Sequence, residues 1–107
     1  MRVLGIATLI VLTGAGAAAA GDAKAGRQKA LPCQACHGLD GQAKLPDAPN
    51  LAGQNAVYLV KALKDYRSGA RRNEVMSVVA RKLADQDIDD VAAYYAAIPV
   101  TVGPPPK

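Results

Sequence analysis

The chain has 107 residues, with 13 Lys and Arg against nine Asp and Glu and a single His. This length allows one small domain. The excess of positive charge is small and scattered, with no basic stripe and no aromatic platform for bases, and this argues against nucleic-acid binding. Four Tyr are the only aromatic residues and much of the apolar content is Ala, so the polypeptide alone builds a thin core that a large apolar cofactor would complete.

The first 20 residues have the pattern of a secretory signal peptide. Arg2 is followed by an almost wholly apolar run at residues 3–12 and by a Gly/Ala stretch that ends in Ala18-Ala19-Ala20. A basic start, a short apolar middle and an A-x-A end mark such peptides, so we predict cleavage near Ala20 and export to the periplasm. An uncleaved anchor is the alternative, but a spanning helix needs about 20 apolar residues and this run is shorter.

Beyond the signal peptide the apolar spacing is helical and no segment has the pattern of a strand, so the fold class is predicted to be all-α. Asp22 is placed to cap a first helix over residues 23–30. Pro32 interrupts the chain after it, and Leu31 is expected outside the helical region because it precedes a proline. The Gly and Pro residues between 38 and 53 predict an irregular loop.

The next helix has clear signals at both ends. Asn55 can cap its start, and Gly69 suits the position after its last residue, about Ser68. Four apolar residues at helical spacing form a stripe along it: Leu59, Ala62, Leu63 and Tyr66.

The last third of the chain predicts two more helices, a short one over residues 73–83 and a final one to about Ala97. Asp85 is placed to cap the final helix, and acidic residues in its first turns complement the helix dipole. Pro99 ends it. We expect residues 99–107 to form a flexible Pro-rich tail.

The run Cys33-Gln34-Ala35-Cys36-His37 is the most informative feature of the sequence. Its spacing, C-x-x-C-H, is typical of the attachment site of c-type haem. Two thiols about one helical turn apart can each add to one of the two vinyl groups of haem, and the following imidazole then points at the iron. We therefore predict one covalent haem c, held by Cys33 and Cys36, with His37 as an axial iron ligand.

Other interpretations of these residues explain less. A structural zinc site needs four ligands, and the chain after residue 20 offers two Cys and one His. A thioredoxin-like redox pair expects a βαβ context, which the pattern does not provide. A plain disulfide is compatible with an oxidising compartment, but it leaves His37 and the thin core unexplained.

The second axial ligand is predicted partly by elimination. The chain has no second His, and Met1 leaves with the signal peptide, so Met76 is the remaining thioether. Met/His ligation belongs to electron-carrying cytochromes c and raises the reduction potential. Ordinary core packing of Met76 is one alternative, and a Lys, a water or a vacancy at the sixth position are others.

These motifs resemble those of the class I c-type cytochromes, in particular small bacterial monohaem forms and one half of the dihaem cytochromes that serve respiratory oxidases. The resemblance covers residues 21–98, which we expect to form the cytochrome c domain. Its matching pieces, in chain order, are residues 21–26, 33–41, 49–54, 58–59, 68–71 and 73–76.

The resemblance implies the small cytochrome c fold, about four helices wrapped round one covalent haem. It also implies that the Pro49 carbonyl accepts a hydrogen bond from the His37 ring, which fixes the tautomer and strengthens the imidazole as a ligand. The first and last helices should cross closely, with Gly26 meeting Tyr94 or Tyr95.

The expected function is that of an electron carrier rather than an enzyme: one-electron transfer between redox partner proteins, namely a donor complex and a terminal oxidase or reductase. We expect no nucleic-acid partner, and membrane contact only through those partners. Two alternatives remain open. In the first, the chain is a haem c subunit of a larger dehydrogenase or oxidase complex. In the second, it is a ligand-binding or peroxidase-like haem protein.

Overall fold

The computed structural model describes residues 21–107, so the predicted signal peptide at residues 1–20 lies outside the described part. Over residues 21–107 the chain is helical and forms no strand, which confirms the all-α class. No helix in this part combines the length and apolar character that crossing a membrane requires. The α-helices are α1 (Ala23–Lys29), α2 (Gln34–His37), α3 (Ala56–Ser68), α4 (Met76–Arg81) and α5 (Asp85–Ala96), and a 3-10 turn at Leu31–Cys33 precedes α2.

The predicted caps of α1 and α3 are confirmed. The Asp22 carboxylate accepts hydrogen bonds from the backbone N–H groups of Lys24 and Ala25, and the Asn55 side chain accepts one from Tyr58. Such bonds satisfy N–H groups that have no partner inside the helix. Gly69 ends α3 in the left-handed conformation, with φ of 87°, which glycine adopts without steric cost.

The structure corrects the expectation for Leu31, which begins the 3-10 turn instead of lying outside helical structure. Pro32 sits in the first turn of this short helix, where its missing N–H has no partner to lose. The chain therefore passes from α1 into α2 with little interruption.

The predicted starts of the last two helices are displaced, by three residues for α4 and by one residue for α5. The fourth helix, α4, begins at Met76 and not at Asn73. In α5 the capping position is Ala84, and Asp87 accepts the hydrogen bond from the Ala84 N–H at 2.9 Å. Asp85 is instead paired with Arg67 of α3, so its carboxylate serves a tertiary contact.

The predicted crossing of the first and last helices is confirmed, because α1 packs against α5 with Gly26 buried at the contact. Next to it the buried Asp90 carboxylate accepts hydrogen bonds from the Asp22 N–H, Lys29 and Gln86. Burial without partners would be costly for this charge, and these three donors offset it.

The remaining helices arrange themselves around α3. Helix α3 packs against both α4 and α5. Within the described chain, α4 contacts α3 and no further helix. Within residues 21–107 the largest fully buried side chains are Tyr95 and Ile88, and the other fully buried apolar residues are alanines. The core alone is thin, as the composition predicts.

Candidate functional site

The C-x-x-C-H run folds into two consecutive helical turns. Cys33 ends the 3-10 turn, and Cys36 and His37 lie in α2. His37 is buried, with 8% of its surface exposed, whereas both cysteines are half-buried and their thiols are free. Burial, and secondarily the neighbouring Cys36, raises the pKa of the Cys33 thiol.

The His37 imidazole is oriented by the loop that follows it. Its ring Nδ1 lies 2.9 Å from the carbonyl oxygen of Pro49. Because that oxygen can only accept, Nδ1 carries the proton of this hydrogen bond, and in the neutral imidazole Nε2 then has the free lone pair that a metal requires.

Backbone hydrogen bonds hold this loop against α2. The Lys44 N–H donates to the Cys36 carbonyl at 2.8 Å, and the Leu51 N–H donates to the Gly41 carbonyl at 2.8 Å. The Asn50 side chain accepts from the Ala43 N–H at 2.7 Å. The loop thus brings Pro49 back over the imidazole.

Two tyrosines of α5 fix the end of α2. The Tyr95 hydroxyl donates to the Gly38 carbonyl at 3.0 Å, and the Tyr94 hydroxyl donates to the Leu39 carbonyl. Tyr95 is fully buried, and burial raises the pKa of its phenol. The family resemblance implies a place for these tyrosines at the helix crossing, but nothing in the sequence indicates their bonds to the two residues after His37.

Two cavities, of about 170 Å³ and 110 Å³, meet at the motif. Both are lined by Cys33, His37 and Met76. The structure therefore brings Met76, distant along the sequence, to the same two cavities as the cysteine–histidine run, and the larger cavity also reaches Cys36.

The walls of these cavities are mostly apolar. The predicted stripe of α3 lines the smaller cavity, opposite Val91, Ala92 and Tyr95 of α5, and its Leu59 is also part of the buried core. At the rim of this cavity Arg71 lies over the Tyr66 ring, 4.7 Å from its centroid, and donates to the Tyr58 hydroxyl at 3.3 Å. Leu45, Ala48, Val75 and Val79 contribute to the wall of the larger cavity.

The residues present fit haem c. A porphyrin needs apolar surface on both faces, a nitrogen or sulfur donor for the iron, and in c-type proteins two thiols at its edge. The adjoining cavities supply the apolar surface, and His37, Met76, Cys33 and Cys36 all line the larger one. Within residues 21–107, no group of three or more His, Cys, Asp and Glu side chains is arranged to hold a metal ion.

A small all-α domain that brings a C-x-x-C-H run and a methionine to the same apolar cavities is characteristic of the c-type cytochromes. The family model for cytochrome c matches residues 23–97, so the chain belongs to the cytochrome c family, whose members carry haem c covalently. The region matched contains every helix of the described chain.

Relatives and solved structures agree with this assignment. Cytochrome c4 of Pseudomonas aeruginosa is 47% identical over 85 residues, covering 79% of this chain and 42% of that protein. Cytochrome c-554(548) of Halomonas halodenitrificans is 49% identical over 81 residues, covering 73% of this chain and 98% of that protein. Reduced recombinant cytochrome c4 from Pseudomonas stutzeri superimposes with a TM-score of 0.71 at 41% identity, covering 78% of this chain and 49% of that one. The chain thus spans less than half of these cytochromes c4.

Proposed function

We propose that this chain is a one-electron carrier, exported to the periplasm after cleavage near Ala20. Cys33 and Cys36 hold haem c covalently, and His37 and Met76 are the axial iron ligands. The observation that carries the proposal is that Cys33, His37 and Met76 line both cavities, as they must if one cofactor fills both.

Bound haem c supplies an iron that changes between the ferric and ferrous states by a single electron. The chain determines how that iron is held. The Pro49 carbonyl accepts a hydrogen bond from the Nδ1–H of His37, which leaves Nε2 as the atom that binds iron and makes the imidazole a stronger ligand. The thioether of Met76 favours the reduced iron and raises the reduction potential.

Occupation of both axial positions of the iron by protein side chains favours an electron carrier over an enzyme. A peroxidase-like or gas-binding protein needs an open position at the iron for its substrate, and Met76 would fill it. The same ligands serve both oxidation states, so little rearrangement accompanies electron transfer. Carbon monoxide binding to the native reduced protein would favour the enzymatic alternative.

The partners are redox proteins, with a donor complex on one side and a terminal oxidase or reductase on the other. Removal of Arg2 with the signal peptide leaves 12 basic residues against nine acidic ones, which modestly favours partners with acidic surfaces. A haem c subunit of a larger dehydrogenase or oxidase complex is the second candidate, because a relative from Stutzerimonas stutzeri, 44% identical over 71 residues, is named a thiosulfate dehydrogenase electron acceptor. A partner that stays bound through purification would favour it.

The test is an alkaline pyridine spectrum and an intact mass of the exported protein. We expect the spectrum of haem attached through two thioethers, and the mass of residues 21–107 plus one haem. Cys33→Ala and Cys36→Ala should each leave haem attached through one thioether, whereas Gln34→Ala, between them, should not change the spectrum. The mass of a bare polypeptide or of a simple disulfide would overturn the proposal.

A further inference from the structure

Met76 lies on a helix that has a single packing partner in the described chain. It is the first residue of α4, a helix of six residues that packs only against α3 within the described chain. The residues immediately before it, from Ala70 to Val75, are exposed. The direction of the Met76 side chain therefore depends strongly on how the chain enters α4.

A reciprocal set of hydrogen bonds fixes that entry. The Asn73 side-chain oxygen accepts from the backbone N–H groups of Val75, at 3.0 Å, and Met76, at 2.9 Å. In return the Asn73 N–H donates to the Ser77 hydroxyl at 3.0 Å, and the Ser77 N–H donates to the Asn73 carbonyl at 3.0 Å. The turn is closed on both sides of Met76.

These bonds replace a cap that α4 otherwise lacks. Val75 occupies the capping position, and its side chain makes no capping hydrogen bond. The N–H groups at a helix start need partners, and Asn73 supplies the same oxygen atom to two of them. Asn73 also lines the larger cavity together with Met76 and His37, so it acts at the site itself.

We propose that Asn73 is a positioning residue for the sixth iron ligand. By fixing the backbone of Met76, it holds the thioether in the direction of the cavity and so sets how readily the iron exchanges Met76 for another ligand. This inference rests on the ligation in the proposed function. It predicts that loss of the Asn73 oxygen raises the population in which Met76 has left the iron.

An ordinary helix cap would stabilise the fold without any special effect on the iron, and Asn55 provides the control. Its side chain caps α3 through the Tyr58 N–H at 3.1 Å, and α3 contributes no proposed iron ligand. Asn55→Ala removes the same kind of bond, at a similar cost in stability.

The experiment titrates the ferric holoprotein with imidazole and follows the far-red absorption band of Met-ligated haem. A cap is worth about 1 kcal/mol, so Asn73→Ala should bind imidazole about fivefold more tightly than the unchanged protein. Asn73→Asp keeps an acceptor oxygen and should restore the original affinity. Asn55→Ala should leave the affinity unchanged even though its thermal midpoint falls.

Ser77→Ala provides a milder variant in case Asn73→Ala does not load haem. It removes one hydrogen bond from the turn and should tighten imidazole binding about twofold. If both variants bind imidazole like the unchanged protein while their stability falls, Asn73 is an ordinary cap and this inference is wrong, although the proposed function stands. If the unchanged protein lacks the far-red band, the ligation by Met76 is wrong and the inference falls with it.

Discussion

A Cβ atom built on Gly26 would lie 1.9 Å from the backbone oxygen of Asp90, and 2.9 Å from the Cβ of Tyr94. Real Cβ atoms do not approach a carbonyl oxygen so closely, so α1 can meet α5 at this distance only because residue 26 is glycine. The contact matters for the site because Tyr94 is one of the two tyrosines that hold the chain after His37.

Gly26→Ala should therefore destabilise the holoprotein, in spite of the better helix propensity of alanine. Forcing a methyl group into a packed contact costs up to about 3 kcal/mol, against a gain of about 1 kcal/mol for replacing glycine inside a helix. We expect a net loss of about 2 kcal/mol by denaturant titration. Gly103→Ala is the control and should not change the stability, because a Cβ added at Gly103 would meet no packing partner within 4 Å. Equal stabilities for the two variants would contradict the tight crossing.

The same crossing should make stability depend on pH through Asp90. The hydrogen bond from Lys29, followed by those from the Asp22 N–H and Gln86, lowers the pKa of this carboxyl from 3.8 to about 2. Because the folded state favours the ionised form, the contribution is complete above about pH 4, declines as the pH falls, and is lost below about pH 2.

Asp90→Asn removes this contribution at every pH. The variant should be less stable than the unchanged protein at pH 7, and the difference should shrink between pH 4 and pH 2 in parallel urea titrations. Asp89→Asn, on the neighbouring residue, keeps the buried network and should retain the acid dependence of the unchanged protein. A stability difference for Asp90→Asn that is constant from pH 7 to pH 2 would contradict the assignment.

The hydrogen bond from Tyr95 to Gly38 should be needed for stability. Tyr95→Phe keeps the buried ring but removes one of the two donors to the buried Gly38 carbonyl, which still accepts a hydrogen bond from the Gly41 N–H at 3.2 Å. Loss of one such hydrogen bond costs about 0.5–1.5 kcal/mol. Thermal unfolding of Tyr95→Phe should show this loss, whereas Val57→Ala, at a side chain 78% exposed, should unfold like the unchanged protein.

Much of this architecture is readable from local sequence. Asn55 and Gly69 mark the two ends of α3 as predicted. Helix capping and the left-handed turn each depend on residues only a few positions apart, so both are visible in the sequence. The spacing of Cys33, Cys36 and His37 is likewise local, so two consecutive helical turns are sufficient to present all three side chains to one cavity.

The predicted cap of α5 failed because a partner on another helix engages the expected capping residue. Asp85 has the residue type of a cap, but Arg67 of α3 pairs with it and Asp87 takes over the bond to the Ala84 N–H. Asn73 has the residue type of a helix start, and its side chain indeed serves α4, but from outside the helix. No local pattern encodes a partner 57 residues away, which is the separation between Tyr95 and Gly38.

Met76→Ala should lower the reduction potential and open the iron to small ligands. The thioether favours ferrous iron, and its removal leaves the sixth position to water or to an added ligand. The far-red band should disappear and the reduced protein should bind carbon monoxide. Val79→Ala enlarges the same cavity without removing a donor and should keep the band, while an unchanged band in Met76→Ala would reject this ligand.

Without haem the chain should not fold cooperatively, because the side chains that would form its interior face the cavities. The stripe of α3 lines the smaller cavity, and much of the fully buried apolar set is alanine. A domain of this size is marginal even with a complete core. The haem-free polypeptide, made by replacing both cysteines and withholding haem, should show low helicity by circular dichroism and no cooperative thermal transition, whereas the holoprotein should melt in one step. A sharp transition in the haem-free chain, with the helicity of the holoprotein, would mean that the polypeptide builds its own core and that the cofactor only occupies a preformed site.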